Sequence, residues 1–203
     1  MTEYERMLSG KLYDPYVCYS EEWEKCRDVI KAFNELPYQR HSEGMQLLRE
    51  IFGRLPEDAY IMQPFFCDRG SQIYVGKSFY ANTGLLILDE GRVEIGNNVM
   101  FGPRVSVYTA AHPIDPRIRI TGLEYAKGIV IGDNVWVGGS TVINPGVRIG
   151  SNTVIGSGSV VTRNISEGVV AAGNPCRIIR EITEEDTRYW QAQKADYDKD
   201  RNP

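Results

Sequence analysis

Residues 129–162 read IVIGDNVWVGGSTVINPGVRIGSNTVIGSGSVVT. Counting in sixes from Ile131 lands on Val137, Ile143, Ile149, Ile155 and Val161, all aliphatic. Counting in sixes from Val135 lands on Thr141, Val147, Thr153, Ser159 and Ile165, all small or aliphatic. The residue after the first series is Gly132, Gly138, Gly150 or Gly156, with Asn144 and Thr162 as exceptions. This is an internal hexapeptide repeat, the sequence mark of a parallel β-helix. Each unit supplies one short strand and one turn, and its aliphatic side chain points into a prism. Stacked coils bury a column of Ile and Val that no single coil could cover. The Gly or Asn is expected to supply a turn conformation that bulky residues resist. The same phase runs earlier through Ile95, Phe101 and Val107, and through Val99, Val105 and Ala111. Fainter still are Val75, Ala81 and Ile87.

Between these runs the period breaks. Residues 108–116 read YTAAHPIDP, and residues 113–128 carry no hexapeptide phase. A β-helix accommodates such a segment at a corner, projecting outwards. His112, one of two histidines in the chain, therefore stands where a coil ends and a loop leaves. On position alone it is either a solvated corner histidine or a functional one.

The flanks differ in texture. Residues 1–58 read as a helical segment. Trp23, Cys26, Ile30 and Phe33 recur at three- and four-residue steps and mark one apolar helix face. Ser20 is the expected N-cap, Glu21 and Glu22 suit the positive end of the dipole, and Pro37 ends the segment. A second helix is expected over 42–53, with Gly53 as its stop. The domain reading is thus a helical segment over 1–58, a parallel β-helix over 59–180 with a projecting loop at 113–128, and a C-terminal helix or tail over 181–203. Thr183 with Asp186 gives that tail a capping signal.

The totals exclude several classes. A chain of 203 residues with net charge -4 and no Lys/Arg run does not suit nucleic acid. No apolar stretch approaches the roughly 20 residues that span a bilayer, and the N-terminus lacks a signal h-region, so a cytoplasmic location is expected. Cys18, Cys26, Cys67 and Cys176 form no CxxC pair, and no zinc spacing appears. They read as free, mostly buried thiols of a reducing compartment.

Taken together, YTAAHPIDP, GLEYAKGIVIGDNVWVGG, INPGVRIGSNTVIGSGSVVT and VAAGNPCRIIREI resemble the maltose/galactoside O-acetyltransferase family. MTEYERMLSGKLYDP and YIMQPFFCDRGSQIYVGKSFYANTG extend the resemblance over nearly the whole chain to about residue 183. The hexapeptides alone indicate only the wider left-handed β-helix group; FYAN and TAAHP narrow it.

The resemblance implies homotrimers of left-handed β-helices with active sites between subunits. It implies acetyl transfer from acetyl-CoA to a sugar hydroxyl, typically the 6-position, with no metal and no acyl-enzyme. His112 matches the family's base, as suits neutral imidazole near pH 7. Gly139 matches the oxyanion donor, and Trp136 the aromatic beside the acetyl site. Asp14, Ser71, Asn82, Glu90 and Glu124 fall where acceptor contacts are expected, and carboxylates and amides suit sugar hydroxyls. Ser157, Thr162, Arg163, Arg177 and Arg180 fall at the CoA site, where arginines pair with phosphates.

Two departures stand out. Arg69 precedes Gly70 where many relatives carry an aromatic residue, and Gly128 replaces a common proline. The competing reading is a β-helix serving only as scaffold or partner-binding module, which would need neither His112 nor the loop. A zinc hydratase of similar shape would need three histidines per metal.

Overall fold

The computed structural model describes residues 1–18 and 21–201. Three helices open the chain: α1 (Glu3–Leu8), α2 (Glu21–Glu35) and α3 (His41–Arg49). Cys26, Ile30 and Phe33 of α2 are buried, with Trp23 partly covered. The expected cap Ser20 lies outside the described residues. The second helix ends at Arg49 and Glu50 stays right-handed, so Gly53 is not its stop. Gly53 is needed for close approach: a Cβ there would stand 2.5 Å from the Ser71 carbonyl oxygen.

From Tyr60 to Ala172 the chain coils through three parallel sheets in turn. The first face holds strands at 60–61, 80–81, 100–101, 136–137, 154–155 and 169–172; the second holds 65–67, 85–88, 106–108, 142–143 and 160–161; the third holds 73–75, 93–95, 129–131 and 148–149. Early coils repeat after 20 residues (Ile61 beside Ala81, Cys67 beside Ile87) and late coils after 18 (Val137 beside Ile155, Ile143 beside Val161). Ile131, Val137, Ile143, Ile149, Ile155 and Val161 are all at most 2% exposed and fill the prism axis. Each buried aliphatic contributes about 1.5–3 kcal/mol. Cys26, Phe33, Met45 and Leu48 join the same core and close one end of the prism.

The repeat glycines serve a different purpose from the expected one. Gly132 and Gly138 do not have positive φ. A Cβ on Gly132 would stand 2.5 Å from Ser151 Oγ, and one on Gly138 2.5 Å from Ser157 N, so these positions are bare because the next coil crosses there. The left-handed residues come two places later, at Asn134, Ser140 and Asn152. Asn98, Asn134 and Asn152 stack at one corner, each side-chain amide donating to the next at 3.0 and 2.9 Å.

The interruption begins earlier than position 113. Thr109 is fully buried, but Ala111 is only half-buried and leaves the hexapeptide phase. Ala110–Ala111 pairs antiparallel with Tyr125–Ala126, and between them lies the single turn α4 (Pro116–Arg119), capped by Asp115. The returning chain presses close enough at Gly128 that a Cβ would meet the Arg92 carbonyl oxygen at 2.8 Å. At the other end the parallel coil stops at Ala172. Arg177–Glu181 turns back antiparallel on 169–172 and leads into α5 (Glu184–Arg201), none of whose described residues is buried. The Thr183 N–H donates to Asp186 at 2.9 Å, the backbone half of the expected cap.

Candidate active site

The turns between the second and third faces form one corner of the prism. Asp68 and Arg69, Asp89 and Glu90, the excursion with His112 and Glu124, and Thr162 with Arg163 all follow strands of the second face. The N-terminal segment packs over this corner. Together they enclose a cleft of about 410 Å³ lined by Tyr13, Pro15, Tyr16, Cys18, Trp23, Asp68, Arg69, Glu90 and Glu124.

His112 is outside this lining but stands against Glu124 of its wall, with its side chain 50% exposed. Its Nδ1 lies 3.2 Å from the Leu123 carbonyl oxygen. A carbonyl only accepts, so Nδ1 carries the proton and donates, which leaves the Nε2 lone pair as the basic position. Nε2 stands 3.5 Å from Glu124 Oε1. The other Glu124 oxygen accepts from the Tyr13 hydroxyl at 2.7 Å. Burial, reinforced by that carboxylate, pushes the Tyr13 phenol far above its usual value and keeps it a donor.

Carboxyl groups line the floor. Burial, with Asp68 beside it, pushes Glu90 up to about 9, so it holds its proton at neutral pH. Burial likewise pushes Asp89 up to about 6. Asp89 Oδ1 accepts from the Asp68 and Arg69 N–H groups at 3.0 and 2.9 Å and fixes that turn. Arg69 is 5% exposed and donates from Nη2 to the Cys18 carbonyl at 2.9 Å. The departure at position 69 therefore ties the N-terminal segment to the coil and forms cleft wall.

The remaining expected residues divide. Asp14 is outside the cleft lining, and its carboxylate accepts from the Tyr16 N–H at 2.9 Å in a local turn. The Ser71 hydroxyl is buried beside the Tyr4 phenol, also outside the lining. Asn82, Gly139 and Ser157 occupy a different corner, between the first and second faces. There the Asn82 side-chain oxygen accepts from the Thr83 N–H at 2.8 Å. The Gly139 carbonyl accepts from the Gly158 N–H at 2.9 Å, while the Gly139 N–H donates to no backbone carbonyl among the described residues. Trp136 is 51% exposed on the first face, in register with Met100 and Val154. Arg177 and Arg180 are exposed on the antiparallel strand. Arg177 donates to the Cys176 carbonyl at 2.8 Å, and Arg180 binds Asp186 through two contacts of 2.6 and 2.8 Å.

The expected site residues of one chain thus divide between two corners: His112, Glu90 and Glu124 at one, Asn82, Gly139 and Ser157 at the other. Sequence reasoning missed Tyr13, Asp68 and the cleft role of Trp23. Adjacency was the available signal, since Tyr13 neighbours Asp14, and Asp68 neighbours Arg69. His41, the second histidine, belongs to the core: its Nε2 is 2.7 Å from the Ile61 carbonyl and its ring stacks on Tyr60 at 4.2 Å. All four cysteines are free and buried. Among the described residues no helix is long and apolar enough to cross a membrane.

Known proteins share this sequence pattern and fold. Residues 128–163 match the model of the bacterial transferase hexapeptide (six repeats). Residues 6–56 match the maltose acetyltransferase hexapeptide capping motif. The galactoside O-acetyltransferase of Escherichia coli (strain K12) is 41% identical over 92% of this chain and 92% of its own length. The crystal structure of a maltose O-acetyltransferase from Clostridium difficile 630 superposes with a TM-score of 0.87 at 45% identity, covering 91% of this chain and 99% of that one. A galactoside acetyltransferase in complex with coenzyme A gives a TM-score of 0.87 at 39% identity, over 92% and 94% of the two chains. With sequence and fold shared over nine-tenths of its length, and the capping motif and hexapeptide coil both matched, the chain belongs to the maltose/galactoside O-acetyltransferase family of hexapeptide-repeat acetyltransferases.

Proposed function

We propose that this protein transfers the acetyl group of acetyl-CoA to a sugar hydroxyl, at the 6-position, by direct attack with His112 as general base. The observation that carries this reading is the orientation of His112, whose Nδ1–H is held by the Leu123 carbonyl while Nε2 faces Glu124, a residue of the cleft wall. The hydroxyl oxygen bonds to the acetyl carbon as its proton passes to Nε2. The tetrahedral oxyanion collapses, the carbon–sulfur bond breaks, and the CoA sulfur takes the proton back from the imidazolium.

The separation of the half-sites supports a homotrimer in which the Asn82 and Gly139 corner of one subunit faces the His112 corner of the next. Gly139 supplies the oxyanion N–H, and Trp136 flanks the acetyl arm. Ser157, Thr162, Arg163, Arg177 and Arg180 hold CoA, whose phosphates suit arginine. Glu90, protonated at neutral pH, donates to an acceptor oxygen, with Asp68 beside it. Buried free thiols fit the reducing cytoplasm.

The test is thiol release from acetyl-CoA against maltose, glucose, galactosides and glucosamine oligomers, for wild type and His112→Ala, with subunit number measured by light scattering. Sugar-dependent release that is lost in a folded His112→Ala trimer is the expected result. Near-normal turnover in that variant would remove His112 from the mechanism. A monomeric active enzyme would refute the shared site.

A further inference from the structure

Glu124 lies where an acceptor contact was expected, but both its carboxylate oxygens face protein partners. Oε1 faces His112 Nε2 at 3.5 Å, and Oε2 accepts from Tyr13 at 2.7 Å. Its backbone is pinned as well. The Tyr13 N–H donates to the Glu124 carbonyl at 2.9 Å, and the Glu124 N–H donates to the Tyr13 carbonyl at 3.0 Å. Tyr13 is 1% exposed, packed with Met7 and Cys18, so this anchor cannot swing. The consecutive residues Leu123 and Glu124 therefore address the two ring nitrogens of His112, one through a carbonyl and one through a carboxylate.

We infer that Glu124, clamped by Tyr13, is a positioning residue that acts through His112 by stabilising its imidazolium, rather than a ligand for the sugar. The inference rests on the proposed role of His112 as base. The chemistry follows from the geometry. Neutral His112 presents a lone pair at Nε2. When the acceptor hydroxyl gives up its proton there, the ring becomes cationic beside an anion already in place. An anion fixed in advance requires no rearrangement when that charge appears. The arrangement has the logic of a carboxylate behind a catalytic histidine, with the difference that the carboxylate stands near the basic nitrogen and is itself held by a phenol. The other carboxyl and guanidinium groups of the cleft are Asp68, the protonated Glu90 and Arg69. It follows that the N-terminal segment does more than cap the prism, since it delivers the residue that fixes the carboxylate.

The experiment is steady-state thiol release by the full-length enzyme with its best acceptor, for Glu124→Gln, Glu124→Asp, Tyr13→Phe and His112→Ala, each checked for fold by circular dichroism. Glu124→Gln is expected to lower kcat by about 10- to 100-fold with both KM values within about twofold, the pattern of an interaction made only in the transition state. Glu124→Asp should recover part of the loss. Tyr13→Phe, which keeps the ring and removes the donor, should lower kcat by a smaller factor, about 3- to 10-fold. A raised acceptor KM with unchanged kcat in Glu124→Gln would make Glu124 a sugar ligand and overturn the inference. So would wild-type kinetics in that variant beside a dead His112→Ala. If His112→Ala itself turns over normally, the base reading falls first, and the two failures are told apart.

Discussion

Gly102→Ala tests whether the stacked corner holds Gly139, the proposed oxyanion donor, in place. A Cβ on residue 102 would stand 2.5 Å from Gly139 N and 2.9 Å from Gly139 Cα, both of them backbone. Carbon contacts relax at about 3.5 Å, so the Gly139 turn must retreat by roughly 1 Å. No side chain can rotate away to relieve the clash. Overpacking of this kind costs about 1–3 kcal/mol, and a chain of this size loses about 2–4 °C per kcal/mol. Melting should therefore fall by about 2–12 °C. The larger effect is on rate, because a 1 Å displacement of a positioned group costs about 10²-fold. The assay pairs a thermal melt with acetyl-CoA thiol release. Gly168→Ala is the control: its φ of +69° makes alanine locally strained, yet nothing lies within 4 Å of the added methyl. It should destabilise by about 1–2 kcal/mol and leave turnover unchanged. A Gly102→Ala enzyme that melts lower but keeps wild-type kcat would refute Gly139 as donor. One that melts normally would refute the packing argument itself.

Two further predictions concern the C-terminal segment. The hydrogen bonds from Arg180, and then from the Thr183 N–H, hold the Asp186 carboxyl down to about 2. A carboxyl depressed in the folded state stabilises above its ordinary value, near 4, and loses that contribution as pH falls through the folded value. Far-UV circular dichroism should thus show α5 loosening between about pH 4 and pH 2, and Asp186→Asn should remove that transition; an unchanged transition would place it elsewhere. Arg177→Ala and Arg180→Ala should each raise KM for acetyl-CoA more than KM for the sugar in steady-state kinetics. The reverse pattern would remove these arginines from the CoA site.

What the sequence by itself determined is the coil. A hexapeptide period is a local consequence of geometry: every coil must send an aliphatic residue such as Ile143 or Ile155 inwards, so the period is written into the chain. It also marked the break at His112, because a loop must interrupt the phase. Tertiary structure alone decided why the repeat glycines are glycines. Gly138 is bare because Ser157, nineteen residues later, crosses it, and no local rule records that approach. The cleft was legible only in part: the resemblance pointed to Glu90 and Glu124 but not to Tyr13 or Asp68. Tyr13, Asp68, Glu90 and Glu124 are scattered over 111 residues and meet only because the N-terminal segment folds back over one corner. The division of the expected site between two corners has the same origin. The His112 excursion follows a strand of the second face and Gly139 one of the first, and a prism points its successive corners away from each other.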